Sequence, residues 1–134
     1  MEIDNKNNKT DSIKQQEIEF IKEISPEILE ELNKISKGNA GLLVIKGPSV
    51  GEKFIIRKQL LTIGRSSESD ILLDDITVSR HHAIIEKKEN DYEVRDLESL
   101  NGTYLNGTII NQSILRNGDR VQVGKYIFLF FSIT

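Results

Sequence analysis

Apolar positions along the chain fall into two regimes. Up to residue 35 they recur at Ile21, Ile24, Ile28, Leu32 and Ile35, steps of three and four that share one helical face. Ser25-Pro26 breaks the run like an N-cap followed by proline at the first helical position, and Lys37-Gly38 reads as a C-terminal stop. One or two short amphipathic helices ending near Ser36 are expected. The first twelve residues are mostly Asn, Lys, Asp and Thr, too polar to offset the entropy of ordering, and are expected to be disordered.

Beyond Gly38-Asn39-Ala40-Gly41 the period changes. Leu42 to Ile45, Phe54 to Ile56, Leu60 to Ile63, Ile71 to Leu73 and Ala83 to Ile85 are short runs rich in β-branched residues, while Tyr92/Val94 and Val121/Val123 alternate with polar neighbours. These patterns predict strands. Turn signals at Gly47-Pro48, Asn90-Asp91, Asn106-Gly107 and Asn117-Gly118 punctuate them, in the rhythm of a sandwich of antiparallel hairpins. An all-β sandwich over residues 41–134, behind a helical extension over 1–40, is the expected architecture.

Charge adds a division to this picture. Of 18 basic and 21 acidic side chains in 134 residues, residues 1 to 40 hold 6 and 9, leaving 12 of each for the strand-rich part. All the net acidity lies in the extension. A neutral β domain lacks the basic excess that drives binding along a nucleic-acid backbone, so nucleic acid is not an expected partner. With no Cys there is no disulfide, thiolate metal site or thiol nucleophile, as suits a reducing cytoplasm. The longest apolar run, Tyr126 to Phe131, is far below the roughly 20 residues of a membrane span. Residues 1 to 20 have neither the basic nor the apolar region of a secretory signal. A soluble cytoplasmic protein is expected.

Candidate chemistry gathers where strands end, at Gly64-Arg65-Ser66-Ser67, Thr77-Val78-Ser79-Arg80-His81-His82 and Ser99-Leu100-Asn101-Gly102-Thr103. Arg65 presents a planar five-donor fork suited to phosphate or carboxylate; the plainer reading is a surface salt bridge to Asp70 or Asp74. Ser79 and Arg80 add a hydroxyl and a second guanidinium. Asn101 can donate and accept together, as gripping a peptide backbone requires, or can simply be a left-handed turn residue before Gly102. His81 and His82 are adjacent at a strand start, so they face opposite ways and do not share a metal; one is expected to be a packed, hydrogen-bonded residue and the other exposed. Ser79, His82 and an Asp would be an odd hydrolase, since no Gly-x-Ser-x-Gly elbow occurs. Neither nucleotide-binding glycine motif is present. No metal or cofactor is expected.

Gly64-Arg65, then Ser79-Arg80-His81-His82-Ala83, then Asn101-Gly102-Thr103-Tyr104-Leu105-Asn106-Gly107, in that order and spacing, resemble the signature of the forkhead-associated (FHA) domain. The resemblance covers residues 41–134. It implies an eleven-stranded antiparallel β-sandwich that binds phosphothreonine peptides and catalyses nothing. It makes Arg65 and Ser79 the phosphate contacts, Arg80 a further phosphate or peptide donor, and Asn101 the residue holding the peptide backbone. Gly64, His82, Gly102 and Asn106 match positions that shape and brace the loops. Leu100 departs from the family, standing where many members have a Ser or Thr.

A single such domain behind a short tail is similar to the small bacterial regulators of the GarA/OdhI type. That likeness implies a place downstream of a Ser/Thr kinase and names 2-oxoglutarate dehydrogenase as a candidate partner. In that family the unphosphorylated protein inhibits the enzyme, and a phosphorylated tail threonine folds onto its own pocket and releases it. The tail here lacks the family's paired-threonine motif and offers one threonine, Thr10, as the candidate phosphosite. Three functions stay open: a phosphothreonine reader, a phospho-independent inhibitor switched off by its own tail, and a structural assembly subunit acting through the helical face.

Overall fold

The computed structural model describes residues 39–132. Thr10 and the expected helices over residues 21–36 lie outside that range. Eleven strands occupy it: β1 (Ala40–Lys46), β2 (Lys53–Ile56), β3 (Leu60–Gly64), β4 (Ile71–Leu72), β5 (Ala83–Lys87), β6 (Tyr92–Asp96), β7 (Thr103–Leu105), β8 (Thr108–Ile110), β9 (Gln112–Leu115), β10 (Arg120–Val123) and β11 (Tyr126–Ser132). They form two sheets, ordered β2-β1-β11-β10-β7-β8 and β4-β3-β5-β6-β9. No helix among the described residues is long and apolar enough to cross a membrane.

The sandwich core comes from the inward half of each alternating strand. Leu42 and Val44 of β1, Ile63 of β3, Ile85 of β5, Val94 of β6, Val123 of β10 and Phe128 and Phe130 of β11 are all essentially inaccessible to solvent. Tyr92 of β6 meets Phe130 of β11 edge to face across the two layers at 5.6 Å between centroids, and Phe54 of β2 meets Phe128 of β11 within the six-stranded sheet at 6.4 Å. Burying each such side chain stabilises the fold by roughly 1.5–3 kcal/mol before entropy is counted. β11 is the central element of its sheet, paired along its length with β1 and at its start with β10.

Three departures from simple hairpins position the site. β4 pairs with β3 in parallel, Ile63 with Ile71 and Gly64 with Leu72, so the connection over residues 65–70 must double back beside the strand it has just left. Asp70 fixes that return: its carboxylate accepts from the Thr62 amide at 2.9 Å, the Thr62 hydroxyl at 3.0 Å and the Lys58 ammonium at 2.6 Å. The Lys58 ammonium, with the Thr62 donors, holds this carboxyl below its usual range. Second, Asn117-Gly118 is a crossover from β9 in one sheet to β10 in the other. Third, β7, β8 and β9 lie in a stretch without strong apolar runs: β7 and β8 are paired by the tight turn at Asn106-Gly107, where both residues have positive φ (50° and 88°), while β9 crosses to the other sheet and pairs with β6.

Candidate functional site

The loops after β3, β4 and β6 meet at one end of the sandwich. Gly64 lets them approach, because the Arg80 carbonyl oxygen occupies the place where any side chain at 64 would stand. Backbone bonds close the contact: the Arg65 amide donates to the Ser79 carbonyl at 3.0 Å and the Ser66 amide to the Arg80 carbonyl at 3.1 Å. The Arg65 side chain continues in the same direction, its Nε donating to the Val78 carbonyl at 3.0 Å. That bond fixes the plane of the guanidinium and leaves its two terminal nitrogens without a hydrogen-bond partner among the described residues. Asp70 is engaged by Lys58, and Arg65 forms no ion pair among the described residues. The salt-bridge reading of Arg65 therefore does not hold here.

Ser79 stands at the centre. Its amide donates to His82 Nδ1 at 3.0 Å, and its Oγ accepts the Leu100 amide at 3.0 Å. A hydroxyl that already accepts a backbone proton keeps its own proton for another partner. Arg80 is exposed, with no side-chain partner among the described residues. Asn101 donates through Nδ2 to the Thr77 carbonyl at 3.0 Å, which leaves its Oδ1 and second N–H unengaged among the described residues. Arg65, Ser79 and Asn101 are thus tied by direct bonds to the single turn Thr77 to Ser79, and Arg80 follows it in the chain.

His82 is the brace. It is fully buried, accepts the Ser79 amide at Nδ1 and lies 2.9 Å from the Gly102 carbonyl through Nε2. An accepting Nδ1 assigns the proton to Nε2, which donates to Gly102. One neutral ring therefore spans the loops that carry Ser79 and Gly102. His81, its neighbour, is exposed. The left-handed residues of the third loop are Glu98 (φ 55°) and Gly102 (φ 86°), not Asn101. Asn106 lies at the far turn, where its side chain bonds Asp119 and the Arg120 amide; it shapes the β7–β8 hairpin without reaching the site.

A second network supports the third loop. Asp96 accepts from the Ser99 hydroxyl at 2.6 Å, the Thr103 hydroxyl at 2.7 Å and the Ser99 amide at 3.2 Å, while Ser99 Oγ accepts the Gly102 amide at 2.9 Å. Burial opposes the charge of this carboxyl, but the three donors together hold it below its usual range. On the other side, Thr77 is held by Asp75 and by the Lys125 amide. Sequence reasoning missed Asp96 and gave no role to Thr77 or the Leu100 amide, although both lie in the segments it singled out. The spacing Asp96-x-x-Ser99 was the available signal, since a carboxylate commonly accepts from an amide two or three residues on.

The comparisons agree with this geometry. A family model described as the FHA domain matches residues 61–124. The chain is 40% identical over 124 residues to an oxoglutarate dehydrogenase inhibitor of Corynebacterium jeikeium, covering 92% of this chain and 84% of the relative. The chain belongs to the FHA domain family. It is also 43% identical over 95 residues to the glycogen accumulation regulator GarA of Mycobacterium tuberculosis, covering 71% of this chain and 59% of that relative. Among solved structures, an FHA domain from a study of phosphothreonine-dependent interactions superposes with TM-score 0.66 at 25% identity, over 72% of this chain and 98% of that one. Mycobacterium tuberculosis EmbR in complex with a low-affinity phosphopeptide gives 0.68 at 28% identity, over 84% and 31%.

Proposed function

We propose that this FHA domain reads phosphothreonine on a protein partner and regulates a metabolic enzyme downstream of a bacterial Ser/Thr kinase. The observation that carries the reading is the donor set fixed around Thr77 to Ser79. The Arg65 guanidinium is aimed by its Nε bond to Val78, and the Ser79 hydroxyl has its proton free because Leu100 supplies the one it accepts. A dianionic phosphate offers three acceptor oxygens to these donors, and such charge-assisted bonds are about twice as strong as neutral ones. Arg80 extends the positive edge, and Asn101 offers an acceptor and a donor to the peptide backbone. Gly64, His82 and Gly102 act through the loops and Asn106 through the neighbouring hairpin, none of them through the ligand. The work is binding, in the cytoplasm where kinase and enzyme meet.

Titration with a phosphothreonine peptide library, against matched phosphoserine and unphosphorylated peptides, tests the reading. A preference for phosphothreonine is expected, and Arg65→Ala should remove about 2 kcal/mol or more of it, as loss of a charged hydrogen-bond partner does. Equal binding of all three peptide sets overturns the proposal.

The relatives named oxoglutarate dehydrogenase inhibitor favour a second reading of the same pocket. Here the unmodified protein inhibits a 2-oxoglutarate dehydrogenase through the pocket loops, whose Ile76 and Leu100 side chains are 90% and 88% exposed. Phosphorylated Thr10 then docks in the pocket and releases the enzyme. A tethered ligand reaches an effective concentration of order millimolar, so the phosphorylated chain should bind added phosphopeptide far more weakly than Thr10→Ala does. Equal binding by the two rules out self-docking through Thr10.

A further inference from the structure

The six-stranded sheet buries side chains on both faces, and the second face has no partner layer in the sandwich. In β1 and β11 the residues Leu42, Val44, Phe128 and Phe130 belong to the core. Strand alternation therefore turns Leu43, Leu129 and Phe131 outward. These three are nonetheless only 1%, 0% and 1% exposed. Leu43 lies opposite Leu129, and Phe131 opposite Gly41, where a Cβ on residue 41 would come within 2.6 Å of the Phe131 ring. The glycine opens a seat for the ring and makes a continuous apolar row. In-sheet neighbours flank such a row but do not roof it, and all eleven strands are already used in the two layers. Burial this complete requires a further layer of chain.

We propose that the amphipathic segment Pro26 to Ser36 of this chain is that layer, lying across β1 and β11 with Ile28, Leu32 and Ile35 against Leu43, Leu129 and Phe131. Length fits: eleven helical residues span about 16 Å, and the outward row Phe131, Leu129, Ile127 spans about 13 Å. Entry fits as well. β1 begins at Ala40 opposite Ser132, beside Phe131, so the three residues between Ser36 and Ala40 deliver the segment to that end of the row. Charge agrees. Lys53 lies opposite Leu43 and Arg120 opposite Leu129 on this face, both engaged in polar or electrostatic contacts. Glu27 and Glu31 would flank the apolar stripe of the helix at the same level. The inference does not rest on phosphopeptide binding, because the pocket lies in loops at the end of the sandwich and this face lies on its side.

The full chain, labelled at Ile and Leu methyls, tests the placement. Nuclear Overhauser contacts from Ile28 and Leu32 to Leu129 and the Phe131 ring are expected, with backbone amides of residues 28–35 exchanging at least roughly tenfold slower than in an unstructured peptide. In the Ile28→Asp/Leu32→Asp variant those contacts and that protection should vanish while affinity for a phosphothreonine peptide stays within about twofold, since no pocket residue is altered. Absence of the contacts in the parent, or unprotected amides there, overturns the proposal. Contacts that appear only between differently labelled molecules would give the face to a second copy, and overturn it too.

Discussion

Ser79 Oγ accepts the Leu100 amide proton at 3.0 Å, and this one bond both joins two loops and orients a hydroxyl. Leu100 takes part through its backbone; its side chain is 88% exposed. Ser79→Ala therefore removes the hydroxyl proposed to donate to phosphate and also strands the Leu100 amide. The expected cost in phosphopeptide affinity is about 2 kcal/mol, measured by calorimetry. Ser79→Thr keeps both roles of the oxygen and should lose less than half of that.

Much of this arrangement was readable in the chain. The strands between Leu42 and Ile85 follow from short apolar runs rich in β-branched residues, continuous where both faces are buried as in β1, and those at Tyr92/Val94 and Val121/Val123 from period-two alternation. β7 to β9 were opaque for the converse reason. Ile109 and Ile114 are exposed, so those strands are held by turn geometry and ladder bonds rather than by an apolar pattern. Arg65, Ser79, Arg80 and Asn101 stood out as polar residues at strand ends. The Asp96 network did not, since Asp, Ser and Thr are ordinary loop residues until a fold brings Thr103 back onto the same carboxylate. The parallel β3–β4 pair was equally hidden, for it rests on Asp70 reaching Thr62, eight residues away.

His82 bonds the loops of Ser79 and Gly102 from a fully buried position. His82→Ala leaves a cavity and strands the Ser79 amide and the Gly102 carbonyl, and should destabilise the domain by about 3 kcal/mol or more. His82→Phe refills the volume without either bond. It should recover part of the unfolding free energy in urea titration, yet bind phosphopeptide more weakly than the parent. Full recovery of affinity in His82→Phe would mean that the ring acts by packing alone.

Tyr92 carries a buried hydroxyl without a hydrogen-bond partner among the described residues, and burial raises its pKa. The ring itself is well placed, edge-on to Phe130 at 5.6 Å. Tyr92→Phe keeps that packing and removes a desolvated polar atom. We expect a gain of about 1 kcal/mol in unfolding free energy, visible as a higher urea midpoint at unchanged slope. A loss of stability would show that the hydroxyl has a partner in solution, such as an ordered water.

Acid sensitivity should trace to Asp96. Its carboxyl is held below the ordinary value of 3.8 in the folded chain, so the charged form is favoured by folding. The sign follows directly: this stabilisation is fully present above the unfolded value and is lost as pH falls below about 3.8, where the unfolded chain takes up the proton first. Asp96→Asn cannot titrate. The parent should therefore melt at a higher temperature than Asp96→Asn near neutral pH, and the gap should shrink steadily below about pH 4. Because Ser99 and Thr103 lean on the same carboxylate, the loop carrying Asn101 should loosen over the same range. A gap in melting temperature that stayed constant from neutral to strongly acidic pH would locate the acid response elsewhere, with Asp70 and its Lys58 partner the next pair to test.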